Sequence, residues 1–168
     1  MNIRHETELD LNHIESITYQ AFENHPHHEP GAKPTEHLIV SRLREANALT
    51  LSLVCEEEEQ VIGHIVLSPV LIGGNESRWL GLGPVSVAPS HQGKGIGGAL
   101  IREALSQVQS LGFEGVVLLG EPQYYGRFGF KAQPELTLSG VPAEYFLALS
   151  FNGELPEGEV NYHSAFFG

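Results

Sequence analysis

The chain has 168 residues, enough for one domain closing one hydrophobic core, and its 41% hydrophobic and 18% charged content, with 19 Gly and 10 Pro, excludes disordered and fibrous classes. Nine Lys and Arg against 21 Asp and Glu leave a net charge of −12, which repels phosphate backbones and anionic lipid: no nucleic acid and no membrane partner is expected, and amine substrates are favoured. The single cysteine, Cys55, excludes an intrachain disulfide and a cysteine-rich zinc site.

Residues 1–8 carry acids where a secretion signal needs basic and then apolar residues, and no apolar run reaches membrane-spanning length, so a cytoplasmic location is expected. A short strand over residues 2–6 leads into a helix over residues 10–22, where Leu11, Ile14, Ile17, Thr18 and Ala21 recur at helical spacing. Residues 23–34 hold three prolines, a glycine and three histidines without periodicity, and read as a loop. His25, His27 and His28 with Glu23 and Glu29 offer metal-type ligands, but nothing fixes them on one face; no metal is expected, and the loop reads as a border of the acceptor pocket. A second helix starts at Thr35, with Leu38, Ile39, Arg42 and Leu43 along one face.

From Leu49 the period changes to two. Residues 49–55 and 61–67 form strands around an acidic hairpin connection, Glu56 to Gln60, and Cys55 falls on the apolar face as a core thiol. His64, within the second of these strands, reads as a satisfied core histidine. Gly73-Gly74-Asn75 turns the chain into a strand over residues 79–87, interrupted by Gly81, Gly83 and Pro84; a proline there implies a bulge or an opened edge.

Next comes a glycine-rich run that flows into a helix with Leu100, Ala104, Val108 and Leu111 on one stripe and Gly112 as its stop. Residues 116–119 form an apolar strand buried on both faces, residues 122–128 a short helix, and residues 130–133, 136–138, 145–151 and 160–165 closing strands.

The stretch Val85-Ser86-Val87-Ala88-Pro89-Ser90-His91-Gln92-Gly93-Lys94-Gly95-Ile96-Gly97-Gly98 joins a disturbed strand to a helix N-terminus, where free amides and the helix dipole make an anion cradle suited to a pyrophosphate. The other reading is a strand-to-helix turn that only packs tightly. A P-loop fails twice, because Ala88 takes the first glycine position and Gly95 follows Lys94. A dinucleotide fingerprint fits Gly93, Gly95 and Gly98, yet five residues separate strand from glycine and the opening βαβ unit is missing.

Gln-x-x-Gly-x-Gly fits at Gln92, Gly95 and Gly97, and Tyr124-Tyr125-Gly126-Arg127-Phe128-Gly129-Phe130 follows an apolar strand. On these two motifs, in this order, the chain resembles the GNAT superfamily of acetyl-coenzyme A-dependent N-acetyltransferases over about residues 1–133, with further strands in residues 134–168 of a single domain. The resemblance implies an α/β (α+β) fold: a mixed β-sheet splayed near its middle, flanked by helices, with the pantetheine arm of acetyl-coenzyme A in the opening. Val85, Ser86 and Val87 would then offer main-chain bonds to that arm, and amides from Gln92, Gly93, Lys94, Gly95, Ile96, Gly97 and Gly98 would take the pyrophosphate. The implied reaction is direct attack of a primary amine, on a small molecule or a peptide, on the thioester in a ternary complex, with Tyr125 as the acid for the leaving sulfur. Glu121, at the end of the 116–119 strand, is the candidate for the acceptor or base side. The asparagine that often precedes the family's tyrosine is missing, with Leu118 and its neighbours in that region. A non-catalytic module that senses acyl-coenzyme A is the alternative.

Overall fold

The computed structural model describes residues 1–23 and 33–167. In chain order the elements are β1 (Asn2–His5), α1 (Leu11–Phe22), α2 (Glu36–Glu45), β2 (Leu51–Glu57), β3 (Gln60–Ile72), β4 (Asn75–Val87), α3 (Ile96–Ser110), β5 (Gly115–Leu119), α4 (Pro122–Tyr125), β6 (Lys131–Ala132), β7 (Leu136–Thr137), β8 (Phe146–Ser150) and β9 (Gly158–Tyr162). The mixed sheet runs β1-β2-β3-β4-β5-β8-β6, with β9 on the far half of β3 and β7 beside β9.

Two long hairpins build the first half. The acidic connection contracts to Glu58 and Glu59, both at positive φ, because pairing continues through Glu57 and Gln60. Gly73 and Gly74, also at positive φ, join β3 to β4, which begins at Asn75 rather than Trp79 because Leu71 and Ile72 pair with Glu76 and Asn75. The expected bulge is present: Ile65 faces Val85 and Leu67 faces Leu82, so Gly83 and Pro84 together oppose Val66.

Parallel pairing of β4 with β5 covers only Trp79 with Gly115, Leu80 with Val116 and Gly81 with Val117. Beyond Gly81 the two strands part, and β5 pairs with β8 on its other side as far as Leu119. That divergence is the splay. Gly81 does not cause it: a Cβ there would lie 2.4 Å from the Tyr162 ring, so this glycine is needed for the approach of β9.

Alternation sorts side chains onto the two faces. Ile65, Leu67, Leu82 and Val116 turn toward α3, whose Leu100, Ala104 and Val108 are fully buried. Val54 and Val66 turn toward α1 and α2 and pack with Ile14, Val40 and Leu43. Farther along that face, Val70, Trp79 and Val117 pack with Leu136, Phe146 and Val160 of the C-terminal strands.

Four expectations change. Leu111 is 60% exposed, because α3 ends at Ser110 and Gly112, at φ +91°, swings Phe113 against the core in its place. Leu38 is exposed while Val40 is buried, which rotates the apolar face of α2. Leu119 is half exposed: it pairs with Phe146 of β8, but beyond the splay no strand pairs with it on the β4 side. The last strand stops at Tyr162, and a 3-10 turn over residues 164–167 follows. No helix among the described residues is long and apolar enough to cross a membrane.

Candidate functional site

Where β4 leaves β5, its outward main-chain groups lose their ladder partner, and buried polar groups of that kind require another. The Ala88 N–H donates to the Ile62 carbonyl on the β3 side. Two-residue alternation therefore also turns the Ser86 main chain toward His64, its partner on β3, and turns those of Val85 and Val87 into the opening. Of the three strand residues expected to hold a ligand, Ser86 thus faces inward. Its hydroxyl is buried, 3.3 Å from Thr18 Oγ1 of α1.

At one end of the opening lies a cavity of about 400 Å³. Its floor is the start of α3, lined by Gly95, Ile96, Gly97 and Gly98, with Val87, His91, Gln92 and Gly93 beside it. Gly93 and Gly95 have φ of +79° and +82°, with nothing near their missing Cβ atoms, so backbone conformation rather than space selects glycine there. Gly97 differs: a Cβ would make only ordinary contacts with Tyr124 and Val87 and would enter the cavity. The Gln92 side chain donates to the Val87 carbonyl at 3.0 Å and ties the loop to the end of β4. Lys94 is exposed and is not among the lining residues.

Arg102 and Arg127, both missed by the sequence reading, supply the cavity's positive charge. Arg102 lies over the Phe128 ring at 4.9 Å and Arg127 over the Tyr124 ring at 4.5 Å, while Arg127 Nε donates to the Tyr124 carbonyl at 2.8 Å. Aromatic faces thus hold two guanidinium groups beside the free amides of a helix start. This is a positively charged cavity on an otherwise acidic chain, and its volume of about 400 Å³ is in the usual range for ligand pockets of ~300–1,000 Å³.

Beside Tyr124, which lines the cavity, stands the second tyrosine of the motif. Tyr125 ends α4, and its ring lies so close over Gly120 that a Cβ there would approach it to 2.4 Å. Tyr124, Phe128 and Phe130 surround the ring, and burial pushes its phenol above the ordinary value. The hydroxyl bonds to no described residue. Glu121 is exposed and makes no side-chain cap bond to α4; its carbonyl instead accepts from the Tyr124 and Tyr125 N–H groups.

The face under α1 holds a band of buried polar groups. Ser52, His64, Ser68 and Ser86 all turn to it, and Thr18 meets them from the helix. His64 is fully enclosed, with Nε2 2.7 Å from Ser52 Oγ and 3.6 Å from Glu6 Oε1. Ser52 also bonds Glu6, and Arg44 bonds the same carboxylate at 2.9 Å. Burial opposes ionisation of Glu6, yet bonds from His64, Arg44 and Ser52 hold it at about 2. Burial pushes His64 below its ordinary value, so its imidazole is neutral at neutral pH. His64 is only half satisfied, since Nδ1 is buried with no hydrogen-bond partner.

Cys55 is buried, and burial raises its thiol, which suits packing rather than nucleophilic attack. His25, His27 and His28 lie outside the described residues, and no cluster of three metal-type ligands occurs among the described residues. The dinucleotide reading fails on topology: β4, α3 and β5 make a parallel crossover, but the other neighbour of β4 is the antiparallel hairpin strand β3, where a dinucleotide-binding fold has a further parallel strand.

The profile of the Acetyltransferase (GNAT) family matches residues 10–130. An uncharacterized N-acetyltransferase, YhbS of Escherichia coli (strain K12), is 36% identical over 132 residues, 78% of this chain and 74% of that protein. The crystal structure of YhbS in complex with coenzyme A superimposes with a TM-score of 0.87 at 31% identity, covering 99% of this chain and 92% of the other. A GNAT family acetyltransferase from Brucella melitensis, solved in complex with acetyl-coenzyme A, superimposes with a TM-score of 0.86 at 50% identity, covering 98% and 97%. The splayed sheet, the glycine-started helix at its opening and these matches lead to one assignment: the chain belongs to the GNAT acetyltransferase family.

Proposed function

We propose that this chain transfers the acetyl group of acetyl-coenzyme A to a primary amine by direct attack within a ternary complex. The observation that carries the reading is the end of β4–β5 pairing at Gly81 and Val117, together with the cavity at the start of α3, which Tyr124 lines and against whose ring Tyr125 packs. The main-chain groups of Val85 and Val87 would hold the pantetheine arm. Amides at Ile96, Gly97 and Gly98, with Arg102 and Arg127, would take the phosphates.

Coenzyme A supplies an activated acyl group, leaving the protein to orient the amine, remove its proton and protonate the departing sulfur. Tyr125 is the proposed acid. Its ring is fixed by Gly120 and three aromatic neighbours, and a free hydroxyl is what a donor to developing thiolate charge requires. Glu121 is proposed to meet the acceptor's ammonium at the exposed mouth, beside Leu119.

The test incubates the protein with acetyl-coenzyme A and a panel of amines: spermidine, phenylethylamine, a lysyl peptide and an alanyl peptide. Mass spectrometry of the amine and release of thiol are followed together. Equimolar acetylated amine and thiol support the reading. Tight cofactor binding with neither product would instead identify an acyl-coenzyme A sensing module.

A further inference from the structure

We propose that the amine this site accepts carries an apolar group close to its nitrogen, as an arylalkylamine does, and that Leu119 selects it, with the Tyr162 ring closing the space behind. The inference rests on the acetyl transfer proposed above and names the substrate class of that reaction.

The two faces of the sheet part at the opening. Leu118 packs in the core under α3, and a Cβ at Gly120 would meet the Tyr125 ring and the Leu118 side chain, so Leu118 and Gly120 turn the same way. Tyr125 packs against that core too, on the face of the sheet where the cavity opens at the start of α3. Leu119 turns to the opposite face, the one taken by Val117 and by Phe146, its partner on β8. Glu121, in extended backbone two residues farther on, follows Leu119.

That opposite face has room at the gap. Tyr162 of β9 lies over Gly81, where a Cβ would come 2.4 Å from its ring, and so closes the face at the last β4–β5 pair. Farther along β4, Thr18 of α1 meets the Ser86 hydroxyl at 3.3 Å. Between these two, a Cβ at Gly83 would meet nothing within 4 Å. The open stretch is thus bordered by the Tyr162 ring and α1, with half-exposed Leu119 and exposed Glu121 on the β5 side.

The make-up of the rim sets the class of ligand. Residues 82–87 of β4 and 118–121 at the end of β5 lie beyond the last pair across the gap. Glu121 is the only charged residue among them and Ser86 the only other polar one; the rest are Leu, Val, Pro and Gly. One carboxylate matches one ammonium, toward which the chain's net charge of −12 also draws a cation. A second ammonium would meet Leu119 and lose water with no partner to replace it, whereas a ring there gains by leaving water. Two strand residues advance about 6.6 Å, a span that suits an ammonium at Glu121 and a ring two carbons away at Leu119.

The experiment measures kcat and KM for phenylethylamine and spermidine at saturating acetyl-coenzyme A in wild type, Leu119→Asp and Leu119→Ala, with calorimetric binding of each amine to the coenzyme A complex. Wild type should favour phenylethylamine at least tenfold in kcat/KM, the scale set by one apolar group in a pocket. Leu119→Asp places a second carboxylate about 6.6 Å from the first and should erase or invert that preference through KM for the amine, with KM for acetyl-coenzyme A unchanged. Leu119→Ala should weaken phenylethylamine severalfold and leave spermidine as it was, and it decides alone should Leu119→Asp not fold. Equal use of the two amines by wild type, or a preference that neither substitution moves, overturns the proposal. Wild-type protein that acetylates neither amine nor any other of the panel refutes the transferase reading. The binding arm then decides the class by itself: phenylethylamine held more weakly by Leu119→Asp upholds the selection, and equal binding overturns it.

Discussion

Acid should unfold this protein through two ion-paired carboxylates, Asp10 buried and Glu6 partly buried, and the structure gives the size of the effect. Glu6 sits at about 2 against an ordinary 4.5, burial opposing its ionisation and His64, Arg44 and Ser52 overcoming that opposition. Asp10 sits at about 2 against 3.8, chiefly through its bonds from Arg4, reinforced by the Thr7 N–H. Both values are depressed on folding, so both contributions are complete above the ordinary carboxylate range and are lost as pH falls toward 2. At ~1.4 kcal/mol per pH unit, Glu6 contributes about 3 kcal/mol and Asp10 about 2 kcal/mol, a large share of the ~5–15 kcal/mol typical of a domain. More than half of the Glu6 share is gone by pH 3. The perturbation is Glu6→Gln, which keeps the shape and removes the titration. Urea unfolding at pH 7, 5, 4 and 3 should show wild type and variant converging, with the gap narrowing by about 2 kcal/mol between pH 7 and pH 3. A gap of constant size would show that Glu6 does not take up a proton in this window and would refute the charge assignment of the whole band.

Three further outcomes are expected at the site. Gly120→Ala puts a methyl group 2.4 Å from the Tyr125 ring, so turnover should fall at least tenfold with coenzyme A affinity little changed; equal turnover would mean that the ring position does not matter. Tyr125→Phe removes one oxygen and should lower turnover at saturating acetyl-coenzyme A by about 10²-fold, with Tyr124→Phe near wild type. An equal loss in both would point to damaged packing of the aromatic cluster. Glu121→Gln should raise KM for the amine without changing coenzyme A affinity, and unchanged acceptor kinetics would return Glu121 to the solvent.

The order of elements was legible because the chain changes its hydrophobic period where it changes structure, from 3.6 in α1 to two in β2 and back again in α3. Gly93 and Gly95 marked the cradle because only glycine settles comfortably at their positive φ. Arg102 and Arg127 were illegible for the opposite reason. Arg102 reads as an ordinary surface cation until the turn after α4 packs on α3 and brings Phe128 beneath it, and Arg127 until the turn at residues 126–128 lays it over Tyr124 three positions back. The inward turn of Ser86 depends on pairing parity beyond the Gly83–Pro84 bulge, and a one-residue bulge is invisible to a periodicity count. His64 read as a core histidine because its burial is local, while Glu6, 58 positions away, and Ser52, 12 positions away, reach it only through the β1-β2-β3 order.

Whether the α3 cradle holds coenzyme A is tested most directly by calorimetric titration of coenzyme A into wild type and Gly97→Asp, with NAD as the competitor. Gly97 is the clean position, since its missing side chain faces the cavity, no positive φ is involved and a Cβ would make only ordinary contacts, so the variant should fold. The account predicts one coenzyme A site in wild type and no measurable NAD binding. In Gly97→Asp, a carboxylate set against the pyrophosphate should weaken affinity at least tenfold, about 1.4 kcal/mol. Unchanged coenzyme A affinity in a folded Gly97→Asp, or NAD binding as tight as coenzyme A, would contradict it.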